Sequence, residues 1–213
     1  MSEIKVNSVV NSTGDNDSGL DLATNDQVII KTANTTAVTV DSSQNTTFAN
    51  KLATTNLGTG AVLQVVSTTK TDTFETTSTS LTDITGLSVT ITPNFTTSKV
   101  FIILDVHIVG HDSGTGIVLV RGSTEIAKGD TAGSRNAFTS IGQFSNDQSP
   151  NKYEGGNTTA TFLDSPSTTS ATTYKVQGKV LSTKFIVNQT RYDLDNANAS
   201  RARSTITVME IAG

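Results

Sequence analysis

The stretch KVFIILDVHIV (residues 99–109) alternates two sets of side chains, as a β-strand does. One face holds Val100, Ile102, Leu104, Val106 and Ile108, and the other holds Phe101, Ile103, Asp105 and His107. Because both faces begin apolar, we expect this strand to be central in a sandwich, with its second face becoming polar towards the end. The fold of the surrounding chain is therefore predicted outward from this strand.

Shorter alternating segments flank this strand, and turn residues separate them. Leu87, Val89 and Ile91 alternate with polar residues until Pro93 and Asn94 make a turn. Further strands are predicted at residues 62–67, 72–75, 116–121, 138–144, 158–163, 172–180, 184–188 and 204–211. The Gly-rich residues 110–116 are predicted to be a hairpin connection. With no helical period, the chain is predicted to be all-β, ending in an antiparallel sandwich or jelly roll at residues 59–213.

The N-terminal part has a different pattern, in which small apolar clusters recur about every ten residues between turn-forming and small polar residues. The predicted core positions are Leu20, Leu22, Val28, Ile30, Val38, Val40 and Phe48. A short strand and a turn cannot bury their own apolar face, so we expect other copies of the same chain to cover it. The sequence therefore predicts a self-associating stem at residues 20–58.

Residues 1–19 are too short and too polar to fold alone. They contain an apolar strip, Ile4, Val6, Val9 and Val10, followed by a polar run. A segment of this kind orders when it docks on a partner. We therefore predict that residues 1–19 are a docking segment.

Composition supports a strand-rich, assembled protein. Of 213 residues, 39 are Thr and 23 are Ser; Thr favours strands and Ser favours turns. Aromatic content is 5% without Trp, so the core of one copy is thin and assembly would add burial. The net charge is −4 and basic residues are scattered, which argues against nucleic-acid binding. No apolar run approaches the ~18 residues of a membrane span, so no membrane insertion is expected.

Residues with catalytic or metal-binding chemistry are sparse. Cys is absent, and the only histidines, His107 and His111, would lie about 13 Å apart along a strand. Asp105 with His107, or the acidic loop at residues 192–196, offers two or three ligands, and a solvated polar surface is the competing interpretation. Carboxylates are dispersed and no Gly-x-Ser-x-Gly motif is present. We therefore predict no catalytic site, metal site or cofactor.

Several blocks resemble the C-terminal domains of tail-fibre and virion-appendage proteins of marine bacteriophages. They are GLSVTITP (86–93), SKVFIILDV (98–106), LVRGST (119–124), DSPSTTSATTYKVQ (164–177) and STITVMEI (204–211). LDLATN (20–25) and VDSSQNTTFA (40–49) resemble shaft segments of the same proteins. The resemblance implies a homotrimer with an intertwined β shaft and a jelly-roll head like those of tumour necrosis factor and the complement globular heads.

The functional prediction is a non-enzymatic virion protein, a trimeric fibre attached by its N-terminus. Its partners would be other virion proteins, of tail or capsid, and a host cell-surface receptor such as a glycan. The candidate receptor-facing residues are His111, Arg135, Lys152, Tyr153, Tyr192 and Arg201. The alternative is a capsid decoration or cement spike that stabilises the particle. A small depolymerase is a third class, for which no catalytic constellation is found.

Overall fold

The computed structural model describes residues 8–10, 19–21, 28–32, 35–41, 43, 45–48, 58–111, 114–142, 144–145 and 153–213. It contains 0% helix and 58% strand, which confirms the predicted all-β class. Contacts divide the chain into an N-terminal unit, Met1–Leu57, and a C-terminal unit, Gly58–Gly213.

The N-terminal unit contains one antiparallel sheet whose strands pair in chain order. The strands are β1 (Ser8–Val10), β2 (Gly19–Asp21), β3 (Val28–Thr32), β4 (Thr35–Val40) and β5 (Thr46–Phe48). Asp41 fixes the turn between β4 and β5, because its Oδ1 accepts hydrogen bonds from the backbone N–H groups of Ser43 and Asn45 at 2.9 Å each. An Asp side chain that binds backbone N–H groups a few residues later is a common turn former.

The apolar positions of the repeat lie opposite one another in this sheet. The register pairs Val9 with Leu20, Leu20 with Ile30, Ile30 with Val38, and Val38 with Phe48. Residues directly opposite across strands share a face of the sheet, so these five positions form one row. We call it the stem row.

The stem row contains residues from two predicted sets, the stem core and the docking segment. Ile30 is 44% exposed within the single chain, so one copy leaves part of this row open to solvent. Val9 and Val10, which the sequence assigns to the docking segment, lie in β1 beside β2. Ile4, Val6 and Leu22 lie outside the described residues. The stem and its trimeric core stay a prediction.

The C-terminal unit contains twelve strands between Val62 and Ile211 in its described residues. They are β6 (Val62–Lys70), β7 (Phe74–Thr76), β8 (Thr82–Ile91), β9 (Lys99–His111), β10 (Thr115–Arg121), β11 (Thr124–Ile126), β12 (Ser140–Gly142), β13 (Phe144–Ser145), β14 (Gly156–Asp164), β15 (Thr172–Val180), β16 (Lys184–Val187) and β17 (Ser204–Ile211). One sheet has the order β6-β17-β9-β16-β7, with β13 and β14 also on β9. The other has the order β11-β10-β15-β8, with β12 on β10. Every pairing is antiparallel except the short β13–β9 contact.

The core lies between these two sheets, as a β sandwich requires. The predicted inner face of β9 is buried, because its five apolar side chains are at most 1% exposed. They pack in one cluster with Leu87, Val89 and Ile91 of β8 and with Ile206 and Val208 of β17. Both edges of β9 are paired, so its predicted central place is confirmed. The strands predicted at residues 172–180 and 204–211 are confirmed with the same bounds.

Two predictions about connections are wrong. The Gly-rich residues 110–116 are not a hairpin, because β9 and β10 belong to different sheets. The strand predicted at residues 138–144 is also divided, since β12 pairs with β10 whereas β13 pairs with β9. Glycines permit the close packing at this crossing: a Cβ on Gly116 would lie 2.3 Å from the Phe138 ring, and one on Gly142 would lie 2.2 Å from Ile108.

Gly178 of β15 gives a direct test of core packing. A Cβ at this position would lie 2.4 Å from the ring of Phe185, which is fully buried. We expect Gly178→Ala to lower the free energy of unfolding by about 1–3 kcal/mol, because an added methyl overpacks a filled core. Urea denaturation measures the change. The control is Gly129→Ala, where the nearest atom is 3.9 Å away; equal losses in both variants would contradict the packing argument.

Candidate binding surface

The two ends of β9 have different surroundings. At its beginning, Lys99 is opposite Ile211, and next to Ile211 the N–H of Gly60 donates to the carbonyl of Ala212 at 2.8 Å. The C-terminal unit, which starts at Gly58, therefore begins at this end of the strand. His111 closes β9 at the opposite end, about 40 Å away for thirteen extended residues.

Loops gather around His111, and we call residues 153–155 and 188–203 together with His111 the distal loops. The His111 and Tyr192 rings meet edge to face, with centroids 5.5 Å apart. The Arg191 guanidinium lies 4.9 Å from the centre of the Tyr192 ring. Arg191 is buried, and its backbone N–H donates to the carbonyl of Glu154 at 3.1 Å. The Tyr192 ring is therefore in contact with both a histidine and a cation.

Arg201 brings a paired charge to the distal loops. Its Nε donates to Oδ1 of Asp193 at 2.9 Å, and its Nη2 binds Oδ2 of the same carboxylate. Both side chains are partly exposed, so the pair adds little stability, on the order of 1 kcal/mol or less. The pair links Asp193 to Arg201 across the intervening loop. Asp193 is a member of the acidic loop considered as a calcium ligand, and its carboxylate here binds the Arg201 guanidinium.

The remaining candidate residues divide between two places. Tyr153 lies in the distal loops, beside Glu154. Arg135 lies at a separate shallow pocket of about 390 Å³, lined by Phe138, Ile141 and Leu181 among others, at the same end of the sandwich. Lys152 lies outside the described residues. Four of the six predicted receptor-facing residues therefore come together around the end of β9.

Asp105 and His107, the polar residues on the second face of β9, make contacts within the C-terminal unit. Oδ1 of Asp105 accepts a hydrogen bond from Asn157 at 2.7 Å, and Oδ2 lies 3.8 Å from Arg203. The His107 ring lies against Gly155, where a Cβ would be 2.6 Å from the ring, and burial lowers the pKa of the imidazole. Across the ranges that the structure describes, no three His, Asp or Glu side chains converge on a possible metal position.

Sequence inspection missed two buried polar clusters. Arg121 resembles an exposed loop residue in the sequence, yet its Nη1 contacts both oxygens of buried Asp164 at 2.8 Å. The Tyr174 hydroxyl donates to the same carboxylate at 2.7 Å, and burial followed by this hydrogen bond raises the pKa of Tyr174 far above its ordinary value. Arg121 therefore stabilises the sandwich, where β10, β14 and β15 meet. The second cluster surrounds Glu210.

Within the described part of the chain, no helix is long and apolar enough to cross a membrane. Comparisons with protein-family models and with curated proteins find no match to this sequence.

Proposed function

We propose that this chain is a structural virion protein of a bacteriophage. In this proposal it forms a homotrimeric, non-enzymatic fibre that is attached by its N-terminus. The C-terminal unit is a jelly-roll head that binds the host surface. The observation that carries the proposal is the position of the distal loops, which lie at the opposite end of β9 from Gly58, where the C-terminal unit begins.

If the C-terminal unit is held by the chain that enters at Gly58, the distal loops lie at the end of the sandwich away from that entry. Those loops display Tyr192, Arg201 and His111, which are residue types favoured in recognition surfaces or able to bind polar groups. An ordered aromatic ring beside a guanidinium suits a polar receptor such as a glycan. Weak binding by each copy would become tight when several copies engage one cell surface.

Attachment would use the N-terminal segment. Ile4 and Val6, with Val9 and Val10 of β1, would bind another virion protein, on either the tail or the capsid. The virion is accordingly the proposed location of the chain.

The test uses particles of the phage that encodes the chain. We expect the double variant Tyr192→Ala, Arg201→Ala to reduce adsorption to host cells at least about tenfold, because each copy loses an aromatic contact and the loop geometry, and multivalency multiplies the loss. The amount of chain per purified particle should stay unchanged. The matched control is Lys175→Ala, which also removes a partly exposed ion pair, that with Asp83, away from the distal loops.

The alternative function gives a different result in the same particles. A decoration or cement protein would leave adsorption unchanged in the double variant. Particles that lack the chain would then lose heat resistance while still adsorbing to cells. That pair of results would replace the attachment proposal with the stabilising role.

A further inference from the structure

The outer face of the larger sheet carries an apolar row across four neighbouring strands. The register sets Val65 of β6 opposite Met209 of β17, Met209 opposite Phe101 of β9, and Phe101 opposite Leu163 of β14. Val65 is 55% exposed and Leu163 is 53% exposed. Neighbouring residues in the same strands face the core, so these four side chains point away from it. We call them the outer row.

The residues beside the outer row are apolar or uncharged, except for Lys99, which lies opposite Ile211. On the same face, two residues further along β9 towards the distal loops, Ile103 lies between Thr207 and Thr161. In the opposite direction along the strands, Ile211 lies opposite Val62, and the Val62 side chain is 53% exposed. Single exposed apolar residues are ordinary, but a continuous apolar patch on a sheet face marks an interaction surface.

We propose that the outer row packs against the outer rows of other copies of this chain. This inference rests on the proposed homotrimer and adds the surface through which the heads associate. It makes the sheet formed by β6, β17, β9 and β14 the inner wall of the assembly. The five-stranded sheet then faces outward.

The place where the chain enters the C-terminal unit favours a second copy of this chain as the partner that covers the outer row. The C-terminal unit begins beside Ala212, and β6 and β17, which start and end at this point, are two of the four strands of the outer row. Copies that associate through their N-terminal units would enter their heads at the border of this face. The surface nearest to each outer row would then be the outer row of another copy.

Charge complementarity also favours another copy of this chain as the partner that covers the outer row. Asp105 and Arg203 lie near each other on this face, with 3.8 Å between Arg203 Nη1 and Asp105 Oδ2. In an assembly whose rotation axis is parallel to the strands, the same residue of every copy lies at the same position along that axis. Each copy would therefore present a carboxylate and a guanidinium at the same level, where opposite charges of neighbouring copies meet.

The test uses the absence of cysteine from the full chain. Single variants Val65→Cys and Leu163→Cys introduce a thiol at the outer row, and Ile141→Cys, at a position that is 73% exposed in the other sheet, is the control. We expect a polyethylene-glycol maleimide to modify the two outer-row thiols at least tenfold more slowly than the control. In urea all three rates should become equal.

Sedimentation equilibrium of the same samples separates the two proposals. A trimeric mass with slow outer-row modification supports the inference. A trimeric mass with equal rates overturns it and leaves the homotrimer standing, whereas a monomeric mass overturns both. Protection that develops only after another virion protein is added would also overturn it, because the occupant would then be that protein.

Discussion

Replacing Val38 with aspartate should abolish assembly of the chain. Val38 is the fourth member of the stem row, between Ile30 and Phe48. If that row forms the core of a trimeric stem, the variant buries one carboxylate in each copy. The cost is on the order of several kcal/mol for each unpaired ion and is incurred three times in one assembly. We expect the mass measured by sedimentation equilibrium to fall from trimer to monomer.

The neighbouring residue supplies the control for this experiment. Thr39 is opposite Ile29 and Thr47, so its side chain is on the other face of the same strand. Thr39→Asp adds the same charge one residue away and should leave the trimer intact. If Val38→Asp assembles with an unchanged melting temperature, the stem row is not the interior of an assembly.

The second large effect concerns Glu210, a fully buried carboxylate at the edge of the sandwich. Gln64 and Ser98 each donate one hydrogen bond to it, at 2.6 and 2.7 Å, and Asn94 donates two at 2.7 Å. Burial raises the pKa of Glu210, but these hydrogen bonds outweigh burial, so the pKa is lower than its ordinary value of 4.5. The cluster joins β6 and β17 to the turn before β9.

We expect Glu210→Gln to lower the free energy of unfolding at pH 7 by about 2–4 kcal/mol, because the amide turns a donor towards groups that are themselves donors. Urea denaturation measures this loss. Glu125→Gln, at a partly exposed carboxylate paired with Lys128, is the control and should change stability by less than about 1 kcal/mol.

The pH dependence of stability checks the same cluster. A carboxyl group whose pKa is depressed by folding stabilises the protein fully above its unfolded pKa. That contribution is lost as the pH falls below 4.5 and through the folded pKa. The Glu210→Gln variant should lack this part of the acid-induced decrease. A variant with the same acid profile as the original chain would show that other groups set the decrease.

The strands of the sandwich were predictable where one face is continuously buried. In β9 and β17 a period of two alone identifies the inner residues, because every second side chain meets the core. The period does not say which strands pair. It therefore did not distinguish a hairpin after His111 from a crossing between sheets, nor did it show the division of residues 138–144.

The candidate site was predictable only in part. Tyr, Arg and His in loops indicated possible recognition residues, but His111 and Tyr192 are 81 positions apart and only the pairing of β9 with β16 brings them together. Arg121 and Asp164 are separated by 43 positions and were missed for the same reason. The buried cluster around Glu210 could have been predicted from the sequence, because Glu210 occupies an inward-facing position of β17, where a charge requires several hydrogen-bond donors.

The pairing of β6 with β17 also determines how the C-terminal unit would respond to a pulling force. β6 begins at Val62, near the entry of the chain at Gly58, and runs from there towards the end that carries the distal loops, antiparallel to β17. When the C-terminal unit is pulled at Gly58 and at the distal loops, the force acts along β6. The hydrogen bonds between β6 and β17 are perpendicular to that direction. They are therefore loaded together, in shear, instead of being opened one after another, and we expect the C-terminal unit to resist such tension as a whole.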